Sequence, residues 1–163
     1  MLYKEKEIVE WASNRGILEV GDRLAQGLKT VTEVAELIDN VQKGNSPMDD
    51  IGDIYVTIVV QAAMNGTSIH ECLEENAELP ASSSIAIQLA EMVLDCGMML
   101  EYTYPEETVD TVYLGVYIAN IYCGLEQVCN YFRLNMDDCV DLSYDIITKR
   151  SGKMKNGVFV KDS

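Results

Sequence analysis

The chain has 163 residues, 48% of them apolar, with few glycines or prolines and a formal net charge of −15. That length and composition fit one compact domain with a real core and argue against a disordered chain. The charge repels DNA and RNA backbones, so a nucleic-acid partner is not expected. Nucleotides stay open as substrates, because a divalent cation can reverse the local field.

The cysteines, Cys72, Cys96, Cys123, Cys129 and Cys139, form no CxxC pair and lie within apolar helical patterns. They read as small core residues in a reducing compartment. The start, Met1 to Glu10, is charged and lacks the apolar stretch of a signal peptide. The longest uncharged runs, Ile54 to Ile69 and Thr111 to Leu125, are short for a bilayer. The expectation is a cytoplasmic protein with no membrane partner.

In chain order, Tyr3 to Asn14 reads as a short amphipathic helix stopped by Arg15-Gly16, with Trp11 anchoring it to the core. Asp22 can cap a second helix to about Lys43, whose apolar stripe is Leu24, Leu28, Val31, Val34, Ala35, Ile38 and Val41. Gly44-Asn45 ends it. Ser46-Pro47-Met48-Asp49 is a helix start, with a capping serine, proline at the first position and acids at the positive end of the dipole. The helix that follows is apolar nearly all round from Val56 to Met64, which predicts a central position. Asn65-Gly66 ends it, and Ser68 with Glu71 forms a capping box for a short helix.

Pro80 to Ser84 reads as a linker, followed by a helix from Ile85 to about Tyr102. Met92, Met98 and Met99 look like core gap-fillers on it. Pro105 breaks that helix, and a long one follows to about Arg133. Asn135 can cap a last helix, Met136 to Arg150, and Gly152 ends it. Lys153 to Ser163 reads as a basic, glycine-containing tail, and no strand pattern is evident. The fold class expected is all-α, a helical bundle in a single domain over 1–163. It would comprise one half to about 79, a second over about 80–150, and a tail at 151–163. Sliding Asp53–Leu73 onto Asn120–Val140 needs no gaps and aligns Ser68 to Cys72 with Asn135 to Cys139. The register allows a duplicated helical hairpin, although amphipathic helices resemble one another by default.

Two acid pairs carry the chemical signal. Glu33 and Glu36 share one face of the second helix, and Asp50 and Asp53 share one face of the next. One short turn joins the helices, so the pairs can face each other across the seam. Acid pairs spaced this way commonly lie on solvated faces. Here both border strongly apolar stretches, and unpaired buried carboxylates cost roughly several kcal/mol each. An oxygen-rich set without a Cys/His cluster suits Mg²⁺, with Mn²⁺ as a substitute. Such a site can stabilise a leaving pyrophosphate and activate a water, with Glu36 orienting that water or taking its proton. His70, in the first turn of a short helix, reads as solvent-exposed. Trp11 and the tyrosines read as packing residues.

Glu33-Val34-Ala35-Glu36 followed by Asp50-Ile51-Gly52-Asp53 resembles the ExxE…ExxD motif of the MazG-like, all-α nucleoside triphosphate pyrophosphohydrolases. Gln26-Gly27-Leu28-Lys29 before it resembles that family's Q-x-x-K segment. The ending, Arg150-Ser151-Gly152-Lys153-Met154 and Asn156-Gly157-Val158-Phe159-Val160-Lys161, is similar to that of small bacterial and phage members. The likeness covers Trp11 to Glu75 and Leu142 to Lys161 best. The segment between looks like an insertion or a degenerate second half, as in the related dimeric dUTPases. Asp50 stands in place of a usual Glu, and Thr32 where a further Glu is common. Asp145-Ile146 stands where an Asn-Lys pair is common. The second hairpin offers only Gln88, Glu91, Tyr117 and Asn120 at corresponding places.

The resemblance implies Mg²⁺- or Mn²⁺-dependent hydrolysis of nucleoside or deoxynucleoside triphosphates to monophosphate and pyrophosphate. It implies metal binding by Glu33, Glu36, Asp50 and Asp53, and self-association into dimers or tetramers. Lys29, Arg150 and Lys153 are candidates to contact phosphate, although a basic helix C-terminus is favoured by the dipole alone. The alternatives are a hydrolase of another nucleotide, such as an alarmone or a diphosphate, and a non-catalytic acidic helical protein that binds a partner or mimics DNA.

Overall fold

The computed structural model describes residues 4–76, 84–104 and 109–163. They form α1 (Glu5–Asn14), α2 (Ile17–Val20), α3 (Arg23–Lys43), α4 (Met48–Met64), α5 (Ile69–Glu75), α6 (Ile85–Thr103), α7 (Thr111–Phe132) and α8 (Met136–Lys149), followed by β1 (Gly152–Lys155) and β2 (Val158–Lys161). The fold is an all-α bundle with one small hairpin attached. Most of the linker expected at Pro80 to Ser84, and the break at Pro105, lie outside the described residues.

Local chemistry sets most boundaries. Asp22, Ser68, Ser84, Asp110 and Asn135 each accept a backbone N–H of the first turn they precede. Ser46 acts one residue further out than expected: Pro47 occupies the cap, and the Met48 N–H reaches Ser46 Oγ at 3.4 Å. Only half of the capping box forms. Ser68 accepts from the Glu71 N–H, while the Glu71 carboxylate accepts from the Thr67 hydroxyl at 3.1 Å.

The hairpins α3–α4 and α6–α7 pack against each other, chiefly through α3 with α6 and α4 with α7. α8 lies on α4 and α5 lies on α7, so each hairpin's central helix is covered by the short helix that follows the other. α4 is central: Ile54, Ile58 and Ala62 are fully buried, with Tyr55, Val59 and Val60 nearly so. Buried Gln61 joins three helices by donating to Arg23 O and Thr103 Oγ1, both at 3.2 Å. Glu5, also buried, accepts the Ile69 N–H and ties α1 to the start of α5.

Three expectations change. The buried face of α3 is Gln26, Gly27, Thr30, Val34 and Leu37, while Leu28 and Ala35 are exposed. The helix meets α4 on one side and α6 on the other, with Leu100 lying over Gly27, so the strongest apolar stripe is not its deepest one. On α6, Met92 and Met99 are buried as expected, but Met98 faces outward.

The third change is at the tail, which is a β-hairpin rather than an irregular segment. Asn156 and Gly157 form its two-residue turn at φ 50° and 78°, the positive values such a turn needs. Gly157 is required for space as well, because a Cβ there would meet Asp22. The Asp22 N–H donates to Gly157 O at 2.8 Å, and Phe159 packs edge-on against Trp11 with centroids 6.2 Å apart. The hairpin is thereby fastened to α1 and to the start of α3. Among the described residues, no helix is long and apolar enough to cross a membrane.

Candidate functional site

A cavity of about 440 Å³ opens between α3, α4, the end of α8 and β2. Along α3, Gln26, Lys29, Glu33 and Glu36 recur at intervals of three or four residues, so all four side chains share one face, and all line this cavity. Asp53 joins them from α4 and Arg150 from the end of α8. Trp11, Phe159, Val56 and Val60 line it too, so it has both charged and apolar walls.

Burial, then the negative charges of Asp53 and Glu36, push the Glu33 carboxyl up to about 7, while Arg150 opposes them. Burial also raises the Asp53 carboxyl. A hydrogen bond from Ser143 opposes that rise, and the charge of Asp49 adds to it. Burial lowers Lys29, against the pull of Glu33 and with a further push from Arg150. Its Nζ donates to Phe159 O at 2.8 Å, which ties the hairpin to α3 beside the acids.

Asp50 is buried but does not line the cavity. Asn40 Nδ2 donates to both its carboxylate oxygens, at 3.0 and 2.9 Å. Its carboxyl is raised by burial, opposed by Asn40 and assisted by Asp49 and Glu36. Among the described residues, no three His, Cys, Asp or Glu side chains stand close enough to hold an ion as they are. Asp50 is drawn to Asn40 and Asp53 to Ser143, so closing on a common ion requires these side chains to turn. The donor chemistry still fits a hard divalent cation. All four candidates offer oxygen, three have carboxyls raised above their ordinary values, and positive charge would relieve that strain.

Lys153 is exposed on β1 and stays outside the cavity, whereas Lys161 on β2 lines it. His70 is only partly exposed, and its Nε2 lies 3.3 Å from a Glu74 carboxylate oxygen on the next turn, away from the site. In the second hairpin Gln88 is buried and Glu91 exposed, and Asn120 donates to Asp95 at 3.1 Å. No counterpart of the acid cluster forms there among the described residues.

Several contributors escaped the sequence reading. Ser143 is fully buried beside Asp53, and its hydroxyl also reaches Asp49 O at 3.3 Å. Gly52 lies inside the second acid motif, where a Cβ would collide with the Cys139 carbonyl and Ser143 Oγ. Its lack of a side chain lets α8 approach close enough to support Asp53. The glycine was visible in the motif, but nothing local indicated which helix it admits. Gln26 stands in the Q-x-x-K-like segment, where the sequence gives it no role, and it lines the cavity. Neither a family model, nor a curated protein, nor a solved structure matches the chain.

Proposed function

We propose that the chain is a MazG-like pyrophosphohydrolase that cleaves nucleoside triphosphates to monophosphate and pyrophosphate with Mg²⁺ or Mn²⁺. The observation that carries this reading is the cavity. It joins Glu33, Glu36 and Asp53 to Lys29 and Arg150 and continues to an aromatic and apolar wall. A triphosphate needs cations and metal-bound carboxylates at one end, and its base needs a flat apolar wall at the other.

Glu33, Glu36 and Asp53, with Asp50 once Asn40 releases it, would hold the cation. A bound divalent ion offsets the charge that builds on the departing pyrophosphate and makes a nearby water a better nucleophile. Lys29 and Arg150 balance phosphate charge on the open side. The water oxygen bonds to the α-phosphorus as the bond from that phosphorus to the α–β bridging oxygen breaks. Glu36 takes the water's proton and passes it to solvent, and pyrophosphate leaves with the bridging oxygen.

Self-association belongs to the same proposal. The outer face of α6 exposes Ile87, Val93, Leu94 and Met98, with Ala86, Ala90 and Gly97 between them. From Ala86 to Met98 this face carries a single exposed charge, Glu91, and an apolar stripe of this kind on so acidic a chain supports burial against a second copy.

The reaction is tested by incubating the protein with NTPs and dNTPs plus Mg²⁺ or Mn²⁺ and separating the products by chromatography. Monophosphate and pyrophosphate are expected. Stepwise release of phosphate, or no turnover of any nucleotide, would overturn the proposal.

A further inference from the structure

The chain has only 12 lysines and arginines, and three of them, Lys29, Arg150 and Lys161, line the cavity that also holds Glu33, Glu36 and Asp53. Among the described residues the ion pairs are Lys4 with Asp141, Lys43 with Asp39, Lys149 with Asp145 and His70 with Glu74. The cations and acids of the cavity therefore face one space without closing on each other. A ligand that turns anionic oxygens to the first set and a divalent cation to the second satisfies both.

Lys161 reaches the cavity because of strand register. Side chains alternate along β2, so Phe159 and Lys161 leave it on one face and Val160 on the other. Lys153 pairs with Val160 and Lys155 with Val158, which puts both lysines of β1 on the opposite face from Phe159. Phe159 is buried against Trp11, and its carbonyl accepts from Lys29 Nζ at 2.8 Å. The face shared by Phe159 and Lys161 is thus the one turned towards the site. Gly152, opposite Lys161, leaves room on that face for the Phe159 ring, which a Cβ at Gly152 would meet.

Building on the nucleotide reading above, we infer that Lys161 is a phosphate-binding residue and that the β-hairpin is the element that delivers it. Lys29 from α3, Arg150 from the end of α8 and Lys161 from β2 then approach the phosphates from three elements, with the metal-binding acids opposite. The Lys161 side chain is exposed and makes no ion pair among the described residues, so the fold does not depend on its charge.

The test compares Lys161→Gln with Lys153→Gln. Each removes one positive charge from the same hairpin, so both alter the long-range field alike, but only the first acts inside the cavity. Tripolyphosphate, which has no base, is titrated by calorimetry in Mg²⁺, and KM and kcat are measured for every nucleotide cleaved in the product assay. Lys161→Gln is expected to weaken tripolyphosphate binding about tenfold and to raise KM more than it lowers kcat. Lys153→Gln is expected to stay within about twofold of the native protein in both measurements. Lys161→Arg, which keeps the charge, should recover most of the lost affinity. All three variants should keep the native Tm.

Equal effects of Lys161→Gln and Lys153→Gln would overturn the inference, as would native affinity and KM in Lys161→Gln. If nucleotides are cleaved but Lys161→Gln behaves as the native protein, the role of Lys161 falls and the pyrophosphohydrolase reading stands. If tripolyphosphate does not bind and no nucleotide is cleaved, both fall.

Discussion

The α3–α4 and α6–α7 hairpins are paired in the same way, and each has its central helix covered by the other's short helix, but their seams are filled differently. Between α6 and α7 the interior is Met92, Cys96 and Met99 against Ile118, Ile121 and Leu125, all fully buried. Gly124 gives room to Met92 and Gln88. Among the described residues its acid is Asp95, whose carboxyl is raised by burial and by Glu91 and which accepts a hydrogen bond from Asn120, with no second buried carboxylate facing it. Between α3 and α4 the chain sets Glu33, Glu36, Asp50 and Asp53, and three of those carboxyls are raised by burial and mutual repulsion. The second hairpin shows that this architecture closes without such a cluster. The acids in the first therefore oppose folding, and their presence points to a task other than holding the helices together.

That contrast breaks most visibly if Glu36 or Asp53 is replaced by alanine. Turnover of nucleotides is expected to fall by about 10²–10⁴-fold or more, with helicity largely unchanged. Circular dichroism and the product assay check both halves of the statement. Full activity with Mg²⁺ present in either variant would remove the acids from the mechanism.

Gly52→Ala comes next. Its methyl group would press on the Cys139 backbone carbonyl, which cannot rotate away as a side chain can. A loss of about 1–3 kcal/mol in unfolding free energy is expected, measured by urea denaturation. Gly97→Ala on α6 provides the control, since nothing lies within reach of a Cβ there. If the two variants are equally stable, the close approach of α8 to the acid motif is not as described.

A smaller effect is expected from pH. The Glu33 carboxyl is held at about 7 in the folded chain, against an ordinary value of 4.5. The folded state therefore binds that proton more tightly. The stability this contributes is complete below about pH 4.5 and is lost as the pH rises through about 7. Metal-free protein should show a Tm that declines over this range, and Glu33→Gln should flatten the decline. Added Mg²⁺ should raise Tm more at about pH 8 than at about pH 5, because the cation favours the ionised acids. A Tm insensitive to saturating metal at about pH 8 would count against the site.

The outer face of α6 sharpens the comparison at the level of assembly. Leu94 is 70% exposed, so Leu94→Glu should leave the fold intact and, on the proposed self-association through this face, lower the mass of the protein in solution. Light scattering coupled to size exclusion reads this directly. An unchanged mass would place the contact elsewhere or show that the native chain does not self-associate.

Much was legible from local chemistry. The caps at Asp22, Ser68 and Asn135 and the stops at Gly44 and Asn65-Gly66 lie where side-chain and backbone hydrogen bonding alone put them. The long apolar run of α4 allowed only a central helix. The short strands escaped because four residues are too few to show an alternation, although Asn156-Gly157 is a strong hairpin turn signal.

The sequence by itself determined the helices, their ends and the pairing of acids on adjacent helix faces, because these depend on contacts within a few residues. Only the tertiary structure decided which acids reach the cavity, that Asn40 holds Asp50 back, that Ser143 stands beside Asp53, and that Lys161 rather than Lys153 joins the lining. Each of those outcomes depends on how distant segments pack, and packing between segments far apart in the chain leaves no periodic mark on either one.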